Sequence, residues 1–224
     1  MISPKTELRF YFLRHGESED NTNLEVIGEV IGGKNPQITE LGLRQAKALG
    51  FRLSKENIKF DKIYCSPLQR VVHTCKAVCA NTLFDFRKVI IVPALEEIDM
   101  GFLAGTRKKD VYEGYTGKLI TYLGPWFTPP GGESQKTVQR RVSDWFEKEF
   151  LHNESFLKSE KTLNFAIFGS GMNFKCLFQE ITGWDASLTW KFTLDNCSIS
   201  RFRFNERGWF IDCINDTGHL LGLI

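Results

Sequence analysis

The chain has 224 residues, 42% of them hydrophobic, enough for one sizeable core and a single domain rather than two. Its 29 basic and 27 acidic residues leave a net charge of +2, which excludes the broad electropositive surface that nucleic acid requires and leaves anion recognition to local charge. No apolar run approaches the roughly 18 residues that span a bilayer, and the first residues lack a basic stretch leading into an apolar one, so a soluble, cytoplasmic protein with no membrane partner is expected.

In chain order, the run from Leu8 to Leu13 reads as a buried first strand, and apolar spacing over 39–53 predicts a helix capped by Thr39. A second strand over 61–65 leads into a helix for which Ser66 and Pro67 read as N-cap and first-turn residues, and a third strand follows near 89–92. The span 106–130 is the least regular. It carries Arg107, Lys108, Lys109, Tyr112, Tyr115, Lys118, Tyr122 and Trp126, then meets a Pro-Pro-Gly-Gly run that no helix can continue. A helix over 134–150 aligns Val138, Val142, Trp145 and Phe146 on one stripe; a strand over 163–168 and a helix over 172–182 come next. Residues 198–204 and 209–214 flank Asn205-Glu206-Arg207-Gly208 as a hairpin. Alternating strands and helices joined by right-handed crossovers predict a three-layer α/β/α domain over 1–224, with a mainly parallel mixed sheet and the hairpin at its edge.

The six cysteines are scattered through these elements. Cys75 and Cys79 share a helix face and could form half a metal site, but no second pair or suitable histidine accompanies them, so reduced thiols and no metal or other cofactor are expected.

Directly after the first strand, Arg14-His15-Gly16-Glu17 delivers a histidine to the carboxyl end of the sheet, where open α/β sheets bind ligands. That makes His15 a candidate nucleophile, although an isolated histidine is more often a packing residue. Its neighbours change the balance. Leu13-Arg14-His15-Gly16-Glu17-Ser18 with Asn21 resembles the signature of the histidine phosphatase superfamily, the phosphoglycerate-mutase-like fold. Further blocks agree in order: Pro36-Gln37-Ile38-Thr39 with Gly42, Gln45 and Ala46; Ile63-Tyr64-Cys65-Ser66-Pro67-Leu68 with Arg70 and Thr74; and Leu95 and Glu97 with Gly101 and Gly105. Pro130-Gly131-Gly132-Glu133-Ser134 and Asn215-Asp216 with His219-Leu220 complete a resemblance that runs from about residue 8 to 220.

The resemblance implies a phosphoric monoester hydrolase, a histidine acid phosphatase-like phosphomonoesterase working through a phosphohistidine. Phosphoryl transfer needs an in-line nucleophile, positive groups around the equatorial oxygens and a proton for the leaving group. His15 supplies the first. By the resemblance Arg14 and Arg70 flank it with planar guanidinium forks, Asn21 donates its amide to the phosphate, and Glu97 acts as general acid and then base. Glu96 is the neighbour that could be confused with Glu97, but the spacing to Gly101 and Gly105 selects Glu97, and adjacent side chains of an extended segment point opposite ways.

One position departs from the pattern. The resemblance calls for a second histidine where this chain reads Gly169-Ser170-Gly171. Ser170 can donate one hydrogen bond to a phosphoryl oxygen, and backbone N–H groups near Gly171 and Met172 can add anion binding at the helix start. Loss of one transition-state donor costs on the order of a hundred- to a thousandfold in rate. An engineered substitution, a natural variant with slow activity and an inactive relative with a binding role all account for Ser170; retention of Arg14, His15, Arg70 and Glu97 favours a catalyst.

The expected partner is a phosphorylated small molecule or a phosphoprotein. A phospho-ligand or protein-binding module without turnover is the reading from another class, and a phosphoglycerate mutase-type phosphotransferase is the reading within the family. Mutases of the family carry a Glu-Arg-x-Tyr-Gly type block beyond the acid loop; 106–130 has none, which favours a phosphatase. Substrate choice is expected from 106–130, as a cap over the site, and from the loop over 21–35. No motif speaks to oligomeric state.

Overall fold

A computed structural model of the chain describes residues 2–22 and 35–223. Its strands are β1 (Glu7–Arg14), β2 (Lys62–Cys65), β3 (Ile90–Ile91), β4 (Thr162–Gly169), β5 (Ile199–Asn205) and β6 (Gly208–Asp216). The α-helices are α1 (Glu19–Thr22), α2 (Glu40–Lys55), α3 (Gln69–Thr82), α4 (Lys108–Tyr112), α5 (Tyr115–Leu123), α6 (Gln135–Phe146), α7 (Glu154–Leu157) and α8 (Gly171–Thr182). The sheet runs β3-β2-β4-β1-β5-β6. Its first four strands are parallel, and β5 and β6 form the antiparallel hairpin. This is the three-layer α/β/α domain with a mainly parallel mixed sheet that the alternation of elements predicts.

Alternation along β1 sends Leu8, Phe10 and Phe12 to one face and Tyr11 and Leu13 to the other. On the first face α6 and α8 contribute Val142, Phe146, Phe174 and Phe178; on the second α2 and α3 contribute Ala46, Leu49, Val71 and Val78. The first core is built largely of rings. Phe12 meets Phe178 at 5.0 Å and Phe202 at 5.4 Å, both edge-on, and each fully buried phenylalanine stabilises the fold by about 1.5–3 kcal/mol.

The helix cap expected at Thr39 forms, its Oγ1 accepting from Gly42 N–H at 3.0 Å, and Ser134, not singled out as a cap, caps α6 by accepting from Thr137 N–H at 3.0 Å. The cap expected at Ser66 does not form. Ser66 N–H is still bonded to Phe168 C=O at 3.0 Å, so the chain stays sheet-like through Ser66 and α3 begins only after Leu68, which is itself extended. Asn35 supplies the missing acceptor from a distance, its Oδ1 taking Gln69 N–H at 3.0 Å. The helix expected over 134–150 ends as α-helix at Phe146 and widens into a π-turn over Glu147–Leu151. Residues 106–130 contain α4 and α5, with Tyr112, Tyr115, Tyr122 and Trp126 exposed. Cys65, Cys75, Cys79, Cys176 and Cys197 are buried free thiols and Cys213 is partly buried.

Candidate active site

The β1–β4 register pairs Arg14 with Gly169, so His15 and Ser170 leave neighbouring parallel strands at the same level of the carboxyl edge. His15 N–H donates to Gly169 C=O at 3.1 Å, which ties the two strand ends together. The His15 ring is buried. Nδ1 lies 2.8 Å from its acceptor, Gly16 C=O, and so carries the proton; Nε2 therefore presents its lone pair and accepts from Arg70 Nε at 3.1 Å. Burial, then the Arg70 and Arg14 charges, push the His15 pKa well below the ordinary 6.5. The ring is neutral, in the tautomer a nucleophilic Nε2 requires.

This shift has a measurable consequence. An unfolded histidine takes up its proton near pH 6.5, whereas folded His15 resists it to lower pH; His219 is depressed in the same direction, chiefly by burial. Between the two values the unfolded chain binds more protons, so stability falls as pH drops below about 6.5. Urea midpoints measured from pH 7.5 to 5 should fall below about pH 6.5, and His15→Asn should shallow that fall.

Arg14 and Arg70 both act on His15 through their charge. Arg14 Nη1 donates to Leu194 C=O, while Arg14 Nε and Arg70 Nη1 are buried without a partner. Burial lowers both arginine pKa values, and the charge of Glu97 opposes that shift in each, so the carboxylate lies within electrostatic reach of both. Ser170 Oγ is also buried and unpartnered; it precedes α8 but makes no capping bond. Gly171 lies against Arg14, and a Cβ there would stand 3.6 Å from Arg14 Nε. Asn21 is partly buried, its Oδ1 accepting from Ser18 N–H at 3.1 Å.

Glu97 reaches the start of α8. Its Oε2 accepts from Met172 N–H at 3.2 Å and its Oε1 from Asn173 N–H at 3.1 Å. The expectation that the Met172 amide serves a bound anion is corrected: the protein's own carboxylate occupies it, since a helix start attracts the nearest negative group. Glu96 is exposed, as the alternation argument requires.

Sequence reading does not single out three residues that hold this arrangement. Arg141 spans Glu133 with two bonds, at 2.8 and 2.9 Å, and donates to Ala94 C=O and Glu97 C=O at 2.7 and 3.1 Å, bracing the loop that carries Glu97. Asn173, fully buried, donates from Nδ2 to Ala94 C=O at 3.1 Å and Glu96 C=O at 3.3 Å. Asn196 donates to His15 C=O at 3.1 Å. Most of these contacts are to backbone carbonyls, which carry no residue-type signature; Glu133, in the Pro-Gly-Gly-Glu-Ser block, was the one visible pointer. The tight turn after His15 also depends on glycine: a Cβ on Gly16 would come within 2.4 Å of Gly42 C=O, and one on Gly42 within 2.1 Å of Glu17 C=O. Of the loop expected to help choose substrate, residues 23–34 lie outside the described residues. Among the described residues no group of three or more histidine, cysteine or acidic side chains is arranged to hold a metal ion, and no helix is long and apolar enough to cross a membrane.

At the carboxyl edge of this sheet a neutral buried histidine thus stands beside two arginines, with a carboxylate in electrostatic reach of both. The chain belongs to the histidine phosphatase superfamily (branch 1), whose family model matches residues 10–217. It is 31% identical over 220 residues to phosphoserine phosphatase 1 of Hydrogenobacter thermophilus, covering 95% of this chain and 94% of that one. It is 33% identical over 154 residues to a 2,3-bisphosphoglycerate-dependent phosphoglycerate mutase of Azorhizobium caulinodans, covering 67% of this chain and 71% of the mutase. The fold matches the phosphoserine phosphatase of Entamoeba histolytica, solved with 3-phosphoglyceric acid, at a TM-score of 0.77 and 22% identity over 95% of this chain and 99% of that one.

Proposed function

We propose that this protein is a phosphoric monoester hydrolase acting through a phosphohistidine on His15, slowed by the serine at position 170. One observation carries the reading: Arg14 Nε, Arg70 Nη1 and Ser170 Oγ are buried polar atoms without partners, on residues next to His15 in the chain, bonded to its Nε2 or level with it on the neighbouring strand, and that Nε2 carries no proton. Unpaired buried donors are costly, and a phosphoryl group supplies acceptors for all of them at once.

In the proposed reaction Nε2 attacks phosphorus as the bond to the leaving oxygen breaks, and Glu97 gives that oxygen its proton. Water then attacks the phosphohistidine, Glu97 takes the water proton, and phosphate departs with the His15 ring neutral again. Arg14, Arg70, Asn21, Ser170 and the Gly171 backbone hold the equatorial oxygens. The substrate is a phosphorylated small molecule, and residues 106–130, with their exposed aromatic and basic side chains, form the cap that chooses it. A phosphatase is favoured over a mutase because the phosphatase relative matches across 95% of the chain, against 67% for the mutase, and because the mutase-type block is absent from 106–130.

Covalent chemistry tests this. After brief exposure to p-nitrophenyl phosphate and a denaturing quench, mass spectrometry should find one phosphoryl group on His15, lost in acid and absent from His15→Ala. Reversible phosphate binding with no labelling under any substrate would instead identify a binding module.

A further inference from the structure

Resting on that reading, we propose that Asn196 is a positioning residue that fixes which end of the Asn21 amide faces the phosphoryl group. Asn196 follows Leu194 and Asp195 in the loop before β5, and its Nδ2 has two hydrogens and two acceptors: His15 C=O at 3.1 Å and Asn21 Oδ1 at 3.0 Å. The same Asn21 oxygen also takes Ser18 N–H and the Ser18 hydroxyl, each at 3.1 Å.

A carboxamide has one accepting end and one donating end. The two N–H donors on Oδ1, from Ser18 and Asn196, define its orientation, because a flipped amide would set N–H against N–H at both, whereas the Ser18 hydroxyl can turn to suit either end. The NH₂ end is then what an anion meets. One nitrogen of Asn196 thus joins the nucleophile's backbone to a phosphate ligand. The His15 carbonyl has a second donor in Cys197 N–H at 3.1 Å, so the loss of Asn196 should fall mainly on Asn21.

The contrast between two substitutions follows. Asn196→Ala removes one of three donors from Asn21 and leaves the Ser18 pair. Asn196→Asp keeps the shape but turns a carboxylate oxygen toward both Asn21 Oδ1 and His15 C=O; the repulsion at Asn21 is relieved by flipping its amide, which then offers its oxygen to the phosphate. The aspartate should therefore be the more damaging change, although it is the closer isostere.

The test is calorimetric affinity for inorganic phosphate, which needs no turnover, in the full chain and in Asn196→Ala, Asn196→Asp, Asn21→Ala and the Asn21→Ala/Asn196→Ala double variant, with melting temperatures alongside. Affinity should fall about three- to tenfold in Asn196→Ala and further in Asn196→Asp, and the double variant should bind like Asn21→Ala alone. Asn21→Asp, which keeps all three donors but presents an oxygen to the anion, should lose phosphate binding and tests the orientation without altering Asn196. Affinity unchanged in both Asn196 variants, or additive losses in the double variant, would overturn the proposal while leaving the phosphohistidine reading intact. Failure of the parent chain to bind phosphate would overturn both.

Discussion

Ser170→His is expected to raise turnover of an aryl phosphate by about a hundred- to a thousandfold, the usual worth of one preorganised donor aimed at developing charge. The replaced side chain sits where β4 hands over to α8, beside the end of β1, and its hydroxyl is buried without a partner. A serine there offers a single neutral hydroxyl. An imidazolium offers a charge and reaches further toward the oxygens. In the apo protein the new histidine shares its surroundings with Arg14 and Arg70, so its proton is costly until an anion arrives. Phosphate should accordingly raise the melting temperature of Ser170→His more than that of the parent. Steady-state kinetics at pH 5.5 to 7.5 check the gain, and adding His15→Ala should abolish it. No gain in Ser170→His would remove position 170 from the phosphoryl site.

The second large effect belongs to Glu97→Gln. A glutamine keeps an oxygen for one helix amide but has no proton to lend a leaving group, and loss of general acid catalysis costs about a hundred- to ten-thousandfold. The size of the loss should depend on the substrate. An alkyl phosphate, whose alkoxide departs poorly, should suffer far more than p-nitrophenyl phosphate, whose phenolate needs little help. Glu96→Gln, altering an exposed neighbour, serves as control and should leave both rates unchanged. An equal loss on both substrates would indicate that Glu97 supports the α8 start and donates no proton.

Local patterns carried much of this arrangement. The apolar run ending in Arg14 and His15 marked a buried strand and its exit point, because burial on both faces of a parallel strand leaves a nearly continuous hydrophobic signature. The choice of Glu97 over Glu96 came from the spacing to Gly101 and Gly105 in the family resemblance, with alternation adding only that one of the two neighbours can face inward. What stayed hidden depends on partners distant in the chain. Ser66 looks like a helix cap until its N–H is seen committed to β4, and the donor set of Asn196 exists only because residues 15, 21 and 196 meet. Arg141 reads as one more cation on a helix, yet three of its nitrogens are used to brace the acid loop.

The sheet order also governs when this site can come into being. β1 is translated first, yet its neighbours are β4 and β5, so both edges of its backbone stay unpaired until residues 162 and beyond have been made. At common rates of synthesis that is a delay on the order of ten to thirty seconds, during which Leu8 to Leu13 form an unpaired, aggregation-prone segment. An early stop between α3 and β4 leaves a fragment that retains His15 and Arg70 but lacks the strand that pairs with β1 on one side. Competence thus arrives late in translation, and the nascent chain's hazard and its enzyme share one strand.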